Sequence, residues 1–548
     1  MKIKKNDIYD IKITDLGTHG EGIGKIDGYT LFVKNTLPDE DVKVVVVKAN
    51  KNYGYGKVIE LIKPSPNRIT PPCAVAGKCG GCTIQHLNYQ SQLDLKRNKV
   101  KQNIMRIGGF DSVQVEPTIG MEEPFHYRNK AQYPVNTDNN GLNIGFYSLG
   151  SHKIVNYDDC LIGSKINKTI LKAIRNFIEN HNITTYNEKT NKGLIRHILI
   201  REGYYTNELM ICLVINSYNF KYKNELLHSL ENIENITSVV INYNTTKSNV
   251  ILGNTCETIY GNDYITDKIG DILFKISPLS FFQVNPIQTY KLYSKALEFA
   301  GLKGNEVVID AYCGIGSISL FLAQKAKYVY GIEIVPDAIE NANENAKLNN
   351  INNTEFFVGK SEDIVPQLYN EKGIKPDVMV VDPPRKGCNE SLLKLMLNMS
   401  PKRIVYVSCD SATLARDLKI LCSDNQYKIT KVQPVDMFPH SYHIETVVLL
   451  GRKKSTEDMV YAYVDYEPED DTYLQGMKGN ATYREIKEWI KAEYGMSVSS
   501  LYVAQIKDKC GFEKRQNYNI GENKAHVPNC PPEKEKAILK AFKHFRMI

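Results

Sequence analysis

Four short apolar runs between residues 286 and 453 constrain the fold of this 548-residue chain more than any other feature. Polar residues do not interrupt these runs, and stretches with helical character separate them. Buried parallel strands have this pattern, because helices cover both faces of the sheet. We therefore predict a doubly wound, Rossmann-like α/β domain over residues 286–455. The runs are residues 307–309, 329–332, 378–381 and 404–407, with helices predicted at 317–324, 337–348 and 391–397.

The first 62 residues have a different pattern, in which short alternating stretches are broken by glycines. Five short strands with glycine-rich turns predict a small β-barrel of the OB kind. Such barrels often bind single-stranded nucleic acid by charge and stacking. The candidates for such contacts are Lys25, Lys34, Lys51, Tyr53 and Tyr55. A simple solvated barrel surface is an equally good interpretation of each of them.

Residues 63–285 read as a central, mainly antiparallel domain, which makes the whole chain a multidomain α+β protein. Its clearest strands are 127–135, 142–147, 195–202 and 208–215, with helices at 89–107 and 166–180.

The C-terminal part of the chain differs from the rest in charge. Residues 456–480 are acidic and predict a linker, whereas 481–548 form a basic helical tail that opens with a capping box, Thr482 to Glu485.

Composition limits the location and partners of the chain. No apolar run reaches 18 residues, and the N-terminus has no apolar signal-peptide core, so we expect a cytoplasmic protein without membrane contact. The net charge of +7 permits a polyanionic partner but does not require one. The 12 cysteines of a cytosolic chain are expected to be thiols, metal ligands or nucleophiles.

A nucleotide-type motif follows the first apolar run. Asp310 leads into a turn with Gly314 and Gly316, which let backbone approach a ligand and start the next helix. Glu333 ends the second strand, where a carboxylate can accept both ribose hydroxyls of an adenosine. NAD is the competing ligand, but Leu320 stands where the third glycine of a dinucleotide motif belongs. The pattern favours S-adenosylmethionine.

Candidate catalytic or binding residues follow two further predicted strands. Asp382 begins an Asp-Pro-Pro-Arg loop, which suits the orientation of a substrate base or of the cofactor. Cys409 follows the fourth strand beside a predicted helix start, where a positive field would favour the thiolate. A thiolate that adds to C6 of a pyrimidine activates C5 for methylation, and a base must then remove the C5 proton. Glu445, just before another apolar run predicted to lie beside the nucleophile's strand, is the candidate base.

Other cysteines and two histidines receive weaker assignments. We interpret Cys212, Cys256, Cys313, Cys388 and Cys422 as buried structural thiols. His440 and His443 either bind phosphate or pack.

A second cysteine group lies upstream. Cys73, Cys79 and Cys82 occur as C-x5-C-G-G-C, and Cys160 is the candidate for a fourth thiolate. Four thiolates serve zinc and iron–sulfur clusters alike, and spacing alone slightly favours zinc.

Taken together, these motifs resemble the uracil-5 RNA methyltransferase family, specifically the RumA/RlmD type that modifies 23S ribosomal RNA. The likeness covers residues 1 to about 453. It rests on a TRAM-like stretch at 17–38, on residues 72–86, 280–285, 310–316 and 382–387, and on the segments around Cys409 and Glu445.

The resemblance implies site residues as well as an activity. It implies a [4Fe-4S] cluster on Cys73, Cys79, Cys82 and Cys160, in place of zinc. It implies that S-adenosylmethionine is bound by Gln283, Tyr312, Glu333 and Asp382. It also implies Cys409 as nucleophile, Glu445 as proton acceptor and Phe281 as a contact to a flipped-out uracil. The expected product is 5-methyluridine in RNA, made by a monomer.

The chain departs from the family pattern at three places. Asp39 stands where the barrel usually has glycine. Asp410-Ser411 replaces Asn-Pro after the nucleophile, which predicts a less constrained helix start. The tail beyond residue 455 is outside the pattern, and we interpret it as an accessory RNA-contacting module or as helices that dock a partner.

Three alternatives remain at this point. In the first, the substrate is transfer RNA instead of ribosomal RNA. In the second, the methyl acceptor is an exocyclic amine, and the reaction needs only the Asp382 loop. In the third, the chain is a non-catalytic RNA chaperone. An intact Cys409 and Glu445 argue against the last.

Overall fold

The computed structural model describes residues 3–17, 19–453, 481–510 and 530–545. The chain divides into two compact units, Met1–Ser455 and Thr456–Ile548. The predicted acidic linker at 456–480 lies outside the described residues and stays a prediction. No helix of the described residues is long and apolar enough to cross a membrane.

The N-terminal strands form a closed five-stranded barrel, as predicted, in the order β1-β2-β3-β5-β4. Alternate residues such as Ile13, Leu31 and Val44 are fully buried in its interior. Asp39 has a left-handed φ of 69°, which explains why glycine suits that turn. The strands are β1 Ile8–Leu16, β2 Gly22–Ile26, β3 Tyr29–Val33, β4 Asp41–Ala49 and β5 Tyr53–Lys63.

Helix α1 (Tyr89–Arg106) follows the cysteine-rich segment, close to its predicted range. The side chain of Asn88 caps it by accepting a hydrogen bond from Ser91 N. Its buried face consists of residues spaced four apart: Gln92, Lys96, Val100 and Ile104.

The central sheet has seven strands in the order β12-β11-β10-β9-β6-β7-β8. Every neighbouring pair is antiparallel except β10 and β11, so the prediction of a mainly antiparallel sheet is confirmed. Helices α2 (Ile166–Asn180) and α3 (Lys223–Leu230) pack on one face of this sheet. The strands are β6 Lys130–Asp138, β7 Gly141–Tyr147, β8 Ile154–Asn156, β9 Ile195–Glu202, β10 Leu209–Ile215, β11 Ile236–Tyr243 and β12 Thr255–Gly261.

Strand β6 begins at Lys130, three residues later than the predicted start at residue 127. The backbone N–H groups of Arg128 and Asn129 donate instead to Ile162 and Val284, outside the sheet. A hairpin of β13 (Ile265–Ile269) and β14 (Ile272–Ile276) then leads toward the second large sheet.

The second seven-stranded sheet has the order β17-β16-β15-β18-β19-β21-β20 and is parallel except for β21, which runs antiparallel to β19 and β20. Two apolar cores lie against it, as a doubly wound fold requires. Its strands are β15 Val307–Asp310, β16 Tyr328–Glu333, β17 Thr354–Val358, β18 Val378–Val381, β19 Arg403–Ser408, β20 Tyr427–Val435 and β21 Glu445–Arg452. Its helices are α4 Pro286–Ala300, α5 Ser317–Ala323, α6 Pro336–Leu348, α7 Ser361–Asn370, α8 Glu390–Met399 and α9 Ser411–Leu421.

The second unit contains helices α10 (Tyr483–Tyr494), α11 (Ser500–Lys509) and α12 (Pro532–His544) among its described residues. The predicted capping box is present, because Thr482 and Glu485 exchange side-chain and backbone hydrogen bonds. Buried residues such as Ile490, Ile506 and Phe542 form a small apolar core of its own.

Candidate active site

A large cavity lies at the carboxyl edge of the second sheet, where β15 and β18 lie side by side and the chain reverses its winding direction. Its volume is about 1200 Å³. Ligands bind at this kind of switch point in open α/β sheets. The four residues predicted to bind S-adenosylmethionine, Gln283, Tyr312, Glu333 and Asp382, all line this cavity.

The two glycines of the turn after β15 have separate tasks. Gly314 has a φ of 54°, and a Cβ built there would meet no atom within 4 Å, so its backbone faces open space in the cavity. Gly316 has a φ of 83°, and a Cβ there would lie 3.2 Å from that of Ala342 in α6. The first glycine therefore exposes backbone to a ligand, and the second allows α5 to start close to α6.

The Glu333 carboxylate is fixed at the end of β16 by backbone donors. Gly314 N donates to its Oε2 at 3.3 Å, and Val335 N donates to its Oε1 at 3.0 Å. Asp310 is fully buried and accepts hydrogen bonds from Ser319 Oγ at 2.6 Å and Tyr312 N at 3.3 Å. Glu333 thus presents acceptor oxygens to the cavity, whereas Asp310 fixes the turn from below.

Asp382 lies half-buried just after β18. Burial, and then the nearby Asp310 carboxyl, raise the pKa of Asp382 to about 7. Two carboxyl groups at adjacent strand ends do not ionise together readily. The cavity as a whole is lined by more acidic than basic side chains, and this negative character suits a sulfonium or amino group.

The loop that carries Gln283 and Phe281 is held by the central sheet. Asn129 Nδ2 donates to the Gln283 carbonyl at 3.1 Å, and Arg201 Nη2 donates to the carbonyls of Pro278 and Ser280. Phe281 is 67% exposed although it lines the cavity. A free aromatic ring at the mouth of such a cavity can stack on a nucleobase.

Cys409 and Glu445 come together because β19 and β21 are neighbours, as predicted, and the structure shows that the two strands run antiparallel. Ser408 pairs with Thr446 in this register, so the next position places Cys409 opposite Glu445. Directly opposed residues of an antiparallel pair share a face of the sheet. The thiol and the carboxyl therefore face the same space beside the Asp382 loop.

The expectation of a field that favours the Cys409 thiolate is wrong. Burial, followed by the charges of Glu445 and Asp382, raises the pKa of the Cys409 thiol to about 12, and Arg385 only partly offsets them. The helix start does not help, because the Asp410 side chain already accepts from Ala412 N and Thr413 N. The same capping corrects the expectation of a poorly constrained start of α9.

Glu445 is 5% exposed, and no donor of the described residues hydrogen-bonds to its carboxyl. Burial and the nearby Asp382 raise its pKa well above the ordinary value, whereas Arg385 lowers it. A carboxylate with a raised pKa is a stronger proton acceptor, which is the property that a general base needs.

Residues 436–444, the segment before Glu445, form what we call the base loop. The groups that hold this loop were not predicted from the sequence. Lys96 in α1 is fully buried, and its Nζ donates to Asp436 Oδ1 at 2.5 Å and to the Phe438 carbonyl at 3.0 Å. Tyr89 Oη donates to Asp436 Oδ2 at 2.9 Å. A lysine within the apolar stripe of a helix was a sequence signal for a buried partner.

Arg385 is a second residue whose role the sequence analysis did not identify. It is exposed in the loop after Asp382, and its charge acts on Cys409, Glu445 and His443. It thus supplies a positive charge that acts on a thiol, a carboxyl and an imidazole. In the sequence, the position of Arg385 directly after Pro384 was the available indication of this role.

The two uncertain histidines differ in environment. His440 is 4% exposed and stacks on Phe125 with a centroid distance of 4.4 Å, so it packs. Thr83 N and Ile84 N donate to its carbonyl, which ties the base loop to the residues just after Cys82. His443 is exposed as a residue, although part of its ring is buried. This burial, and then the positive charges of Arg385 and Lys99, lower the pKa of His443 to about 4.

The four cysteines of the upstream group line one cavity of about 230 Å³. Gly81 N donates to Cys79 Sγ at 3.4 Å, and Gly80 N donates to the Tyr147 carbonyl. Among the described residues, no three His, Cys, Asp or Glu side chains are placed to hold a single metal ion. The thiols converge, but a ready-made mononuclear zinc site is not present there.

The assignment of five cysteines as buried structural thiols is correct for three of them. Cys212, Cys313 and Cys388 are buried, whereas Cys422 is half-buried at the end of α9. Cys256 is exposed, because β12 is an edge strand of the central sheet.

Comparison with known proteins agrees with this architecture. The family model described as tRNA (uracil-5-)-methyltransferase matches residues 88–453, and the TRAM domain model matches residues 2–59. An RNA methyltransferase of Clostridium tetani, itself uncharacterised, is 52% identical over 456 residues, covering 82% of this chain and 98% of that protein. A Bacillus cereus relative of the same description is 49% identical over 451 residues, with the same coverage of both chains.

A solved structure is similar over the same region. It is that of the Pyrococcus abyssi tRNA (uracil-54, C5)-methyltransferase in complex with S-adenosyl-L-homocysteine. The sequence identity is 30% and the TM-score 0.65, with 81% of this chain and 100% of that chain covered.

The doubly wound sheet, the carboxylate at the end of β16 and the cavity at the switch point define an S-adenosylmethionine-dependent methyltransferase. The chain belongs to the tRNA (uracil-5-)-methyltransferase family. It methylates C5 of uracil in RNA, and its N-terminal barrel is a TRAM domain. RNA is therefore bound by the barrel and the methyltransferase domain.

Proposed function

We propose that Cys409 is the nucleophile and Glu445 the general base of this methyl transfer. The observation that carries the proposal is the β19–β21 register, which sets the thiol opposite a buried carboxyl, with Asp382 of the cofactor cavity near enough to act on both. A thiol adds to C6 of the uracil, C5 becomes nucleophilic, and removal of the C5 proton allows the thiol to leave.

The cofactor would be held by Gln283, Tyr312, Glu333 and Asp382. Bound S-adenosylmethionine supplies the electrophilic methyl group. Glu333 would accept hydrogen bonds from the ribose hydroxyls, and the Asp382 carboxyl would suit the positively charged end of the ligand. The negative cavity and the backbone exposed at Gly314 fit this ligand.

Cys409 would remain a protonated thiol until RNA enters. Its raised pKa keeps it from reacting with oxidants or electrophiles in the free enzyme, since the thiolate is the reactive form. The thiol proton must leave as sulfur attacks, and the carboxylate of Asp382, with a pKa near neutrality, is the acceptor that leaves Glu445 free for the later step.

We propose 23S ribosomal RNA as the substrate. The central domain with its four-thiol cavity and the N-terminal barrel give this chain surface beyond the catalytic domain, and we take this as support for a folded ribosomal segment. Transfer RNA is the second candidate, because the family model and the Pyrococcus abyssi relative are both described as acting on it.

Release of tritium from C5-labelled uridine tests the substrate. We expect release from a 23S transcript at least about tenfold faster than from an equimolar tRNA transcript. Mass analysis of the nucleosides should give 5-methyluridine. Faster release from tRNA would overturn the choice of substrate, and a methylated exocyclic amine would overturn the reaction itself.

We also propose that Cys73, Cys79, Cys82 and Cys160 hold a [4Fe-4S] cluster. The four thiols line a single cavity, and four thiolates are the ligand set that such a cluster uses. When bound, the cluster would cross-link the segment before α1 to the loop that carries Cys160. It would also stabilise the base loop, because Thr83 and Ile84 contact His440.

Cys160→Ser is expected to remove most of the bound iron and the visible absorption of the cluster, because one thiolate ligand is lost. Anaerobically purified wild type should contain about four iron atoms per chain. The matched control is Cys256→Ser, which replaces an exposed thiol outside the cavity and should keep the iron. Stoichiometric zinc without iron in the wild type would contradict the proposal.

The remaining assignments belong to the same proposal. The enzyme works as a cytoplasmic monomer with a central domain over residues 63–285 and a catalytic domain over 286–455. The tail 481–548 has a net charge of about +5 and serves as an accessory RNA contact.

A further inference from the structure

A second cavity, separate from the cofactor site, lies at one end of the central sheet. Its volume is about 950 Å³, and it shares no lining residue with the cofactor cavity. The ends of β6 and β9, strand β7 and the loops at 182–189 and 248–251 surround it. None of the residues assigned to methyl transfer contributes to it.

His197 of β9 lines this cavity with a side chain that lacks partners. The residue is 7% exposed, and neither of its ring nitrogens has a hydrogen-bond partner among the described residues. Burial and the neighbouring Arg196 lower its pKa to about 4, so the ring is neutral at physiological pH. A neutral imidazole offers one donor and one acceptor, and buried polar groups without partners are rare unless a ligand supplies them.

Arg196 and Tyr186 are buried at the base of the cavity, whereas Tyr147 and His152 supply more accessible rings. The Arg196 guanidinium carbon lies 4.2 Å from the centroid of the Tyr186 ring, and its Nη1 donates to the carbonyls of Asn244 and Thr246. Its Nε is buried without a partner. Tyr147 and His152, 5.3 Å apart, add a second pair of rings.

The rim of the cavity has the chemistry that recognises a base edge and its phosphate. Neutral amide and hydroxyl groups line it, and exposed lysines lie beside them. Single-stranded RNA is read by stacking on aromatic or guanidinium planes and by hydrogen bonds to base edges. The rim groups are Asn136, Asn182, Thr184, Asn249, Lys153 and Lys189.

Strand β9 connects this cavity to the catalytic site. Arg201 lies four residues after His197, on the same face, and it holds the loop that carries Phe281. Four residues of strand span about 13 Å. The cavity at His197 and the loop that carries Phe281 are therefore attached to the same strand, a short distance apart.

We propose that this cavity binds an unpaired nucleobase of the RNA substrate, a few nucleotides from the uracil that is methylated. The proposal rests on the RNA-methylating function and adds a specificity site to it. A base bound there holds the flanking strand open and fixes the register in which the target uracil reaches Cys409.

His197→Leu tests this site. Leucine is close in volume and removes both nitrogens, so we expect an unchanged or higher melting temperature, because no hydrogen bond is lost within the protein. We expect the KM for RNA to rise roughly tenfold. The kcat at saturating RNA and the Kd for S-adenosylmethionine should not change.

Two further variants make this test specific. His86→Leu is the matched control, since His86 is also buried with an unpartnered Nε2 but lines neither cavity, and it should keep the wild-type KM. Asn249→Trp places a bulky side chain at the exposed mouth and should raise the KM as His197→Leu does. Wild-type KM in both cavity variants would overturn the proposal.

An abasic scan identifies the bound nucleotide. In the RNA that the wild type methylates, abasic residues replace the flanking nucleotides one at a time. We expect one position where the wild type loses about tenfold in affinity and His197→Leu loses nothing further. Equal losses for both proteins at every position would overturn the site. If the wild type did not methylate uracil at C5, the proposed function itself would fail.

Discussion

Replacing Cys409 by alanine is expected to lower the rate of methyl transfer by at least roughly 10⁴-fold, because no other group can add to C6 of the uracil. Without that addition, C5 is too weak a nucleophile to take a methyl group. The affinity for RNA should change by less than about twofold, since the thiol is a small part of the bound surface. Single-turnover transfer of a tritiated methyl group measures the first effect, and filter binding measures the second.

The matched control is Cys422→Ala, which removes a half-buried thiol at the other end of the same helix, α9. This variant should retain wild-type activity. Alkylation of the free enzyme adds a second readout, because the pKa of Cys409 is raised to about 12. The alkylation rate at Cys409 should continue to rise with pH beyond the range where ordinary thiols level off. Methyl transfer by Cys409→Ala at the wild-type rate would disprove nucleophilic catalysis by this residue.

The sequence predicted the positions of most of the proposed site residues because they lie at or just after a strand end. In a parallel sheet, residues after the carboxyl ends of neighbouring strands converge, so the motifs at Asp310, Asp382 and Cys409 had to meet. Short apolar runs marked those strands to within about two residues. Glu445 was found in the same way, because the apolar run after it had to pair beside β19.

Contacts between distant segments were not accessible from the pattern. The pair of Lys96 and Asp436 is separated by 340 residues, and no local periodicity predicts which acid a buried lysine will meet. The sign of the electrostatic field at Cys409, the proposed nucleophile, was also predicted wrongly. The position of a thiol near a helix start suggested a positive field, but the Asp410 cap and two facing carboxyls reverse it.

The cavity at His197 illustrates a third limit. The alternation of β9 predicts a buried strand, and a histidine within it reads as a packed core residue. Only the arrangement of the loops at 182–189 and 248–251 shows that this residue lines a cavity and that its ring nitrogens lack a partner among the described residues. Loop geometry depends on tertiary contacts, and the sequence specifies it less directly than strand periodicity.

Replacing Glu445 by glutamine is expected to slow turnover by about 10²- to 10⁴-fold and to trap the enzyme on its RNA. The amide keeps the shape of the side chain but cannot accept the C5 proton. Cys409 can still add to C6, and C5 can still take the methyl group. Because the proton then stays on C5, the bond between sulfur and C6 cannot break, and a methylated RNA–protein adduct accumulates.

Denaturing electrophoresis with labelled RNA and mass analysis of the cross-linked peptide would detect this adduct at Cys409. The double variant Cys409→Ala, Glu445→Gln should form none. The pH dependence gives an independent check, because burial and Asp382 raise the pKa of Glu445. A base acts only when unprotonated, so adduct breakdown in the wild type should slow as the pH falls through that raised pKa. Glutamine does not titrate, and the variant should lose this dependence. If Glu445→Gln turned over at the wild-type rate without any adduct, the proton would have to leave C5 for another acceptor, and Asp382 would be the next residue to replace.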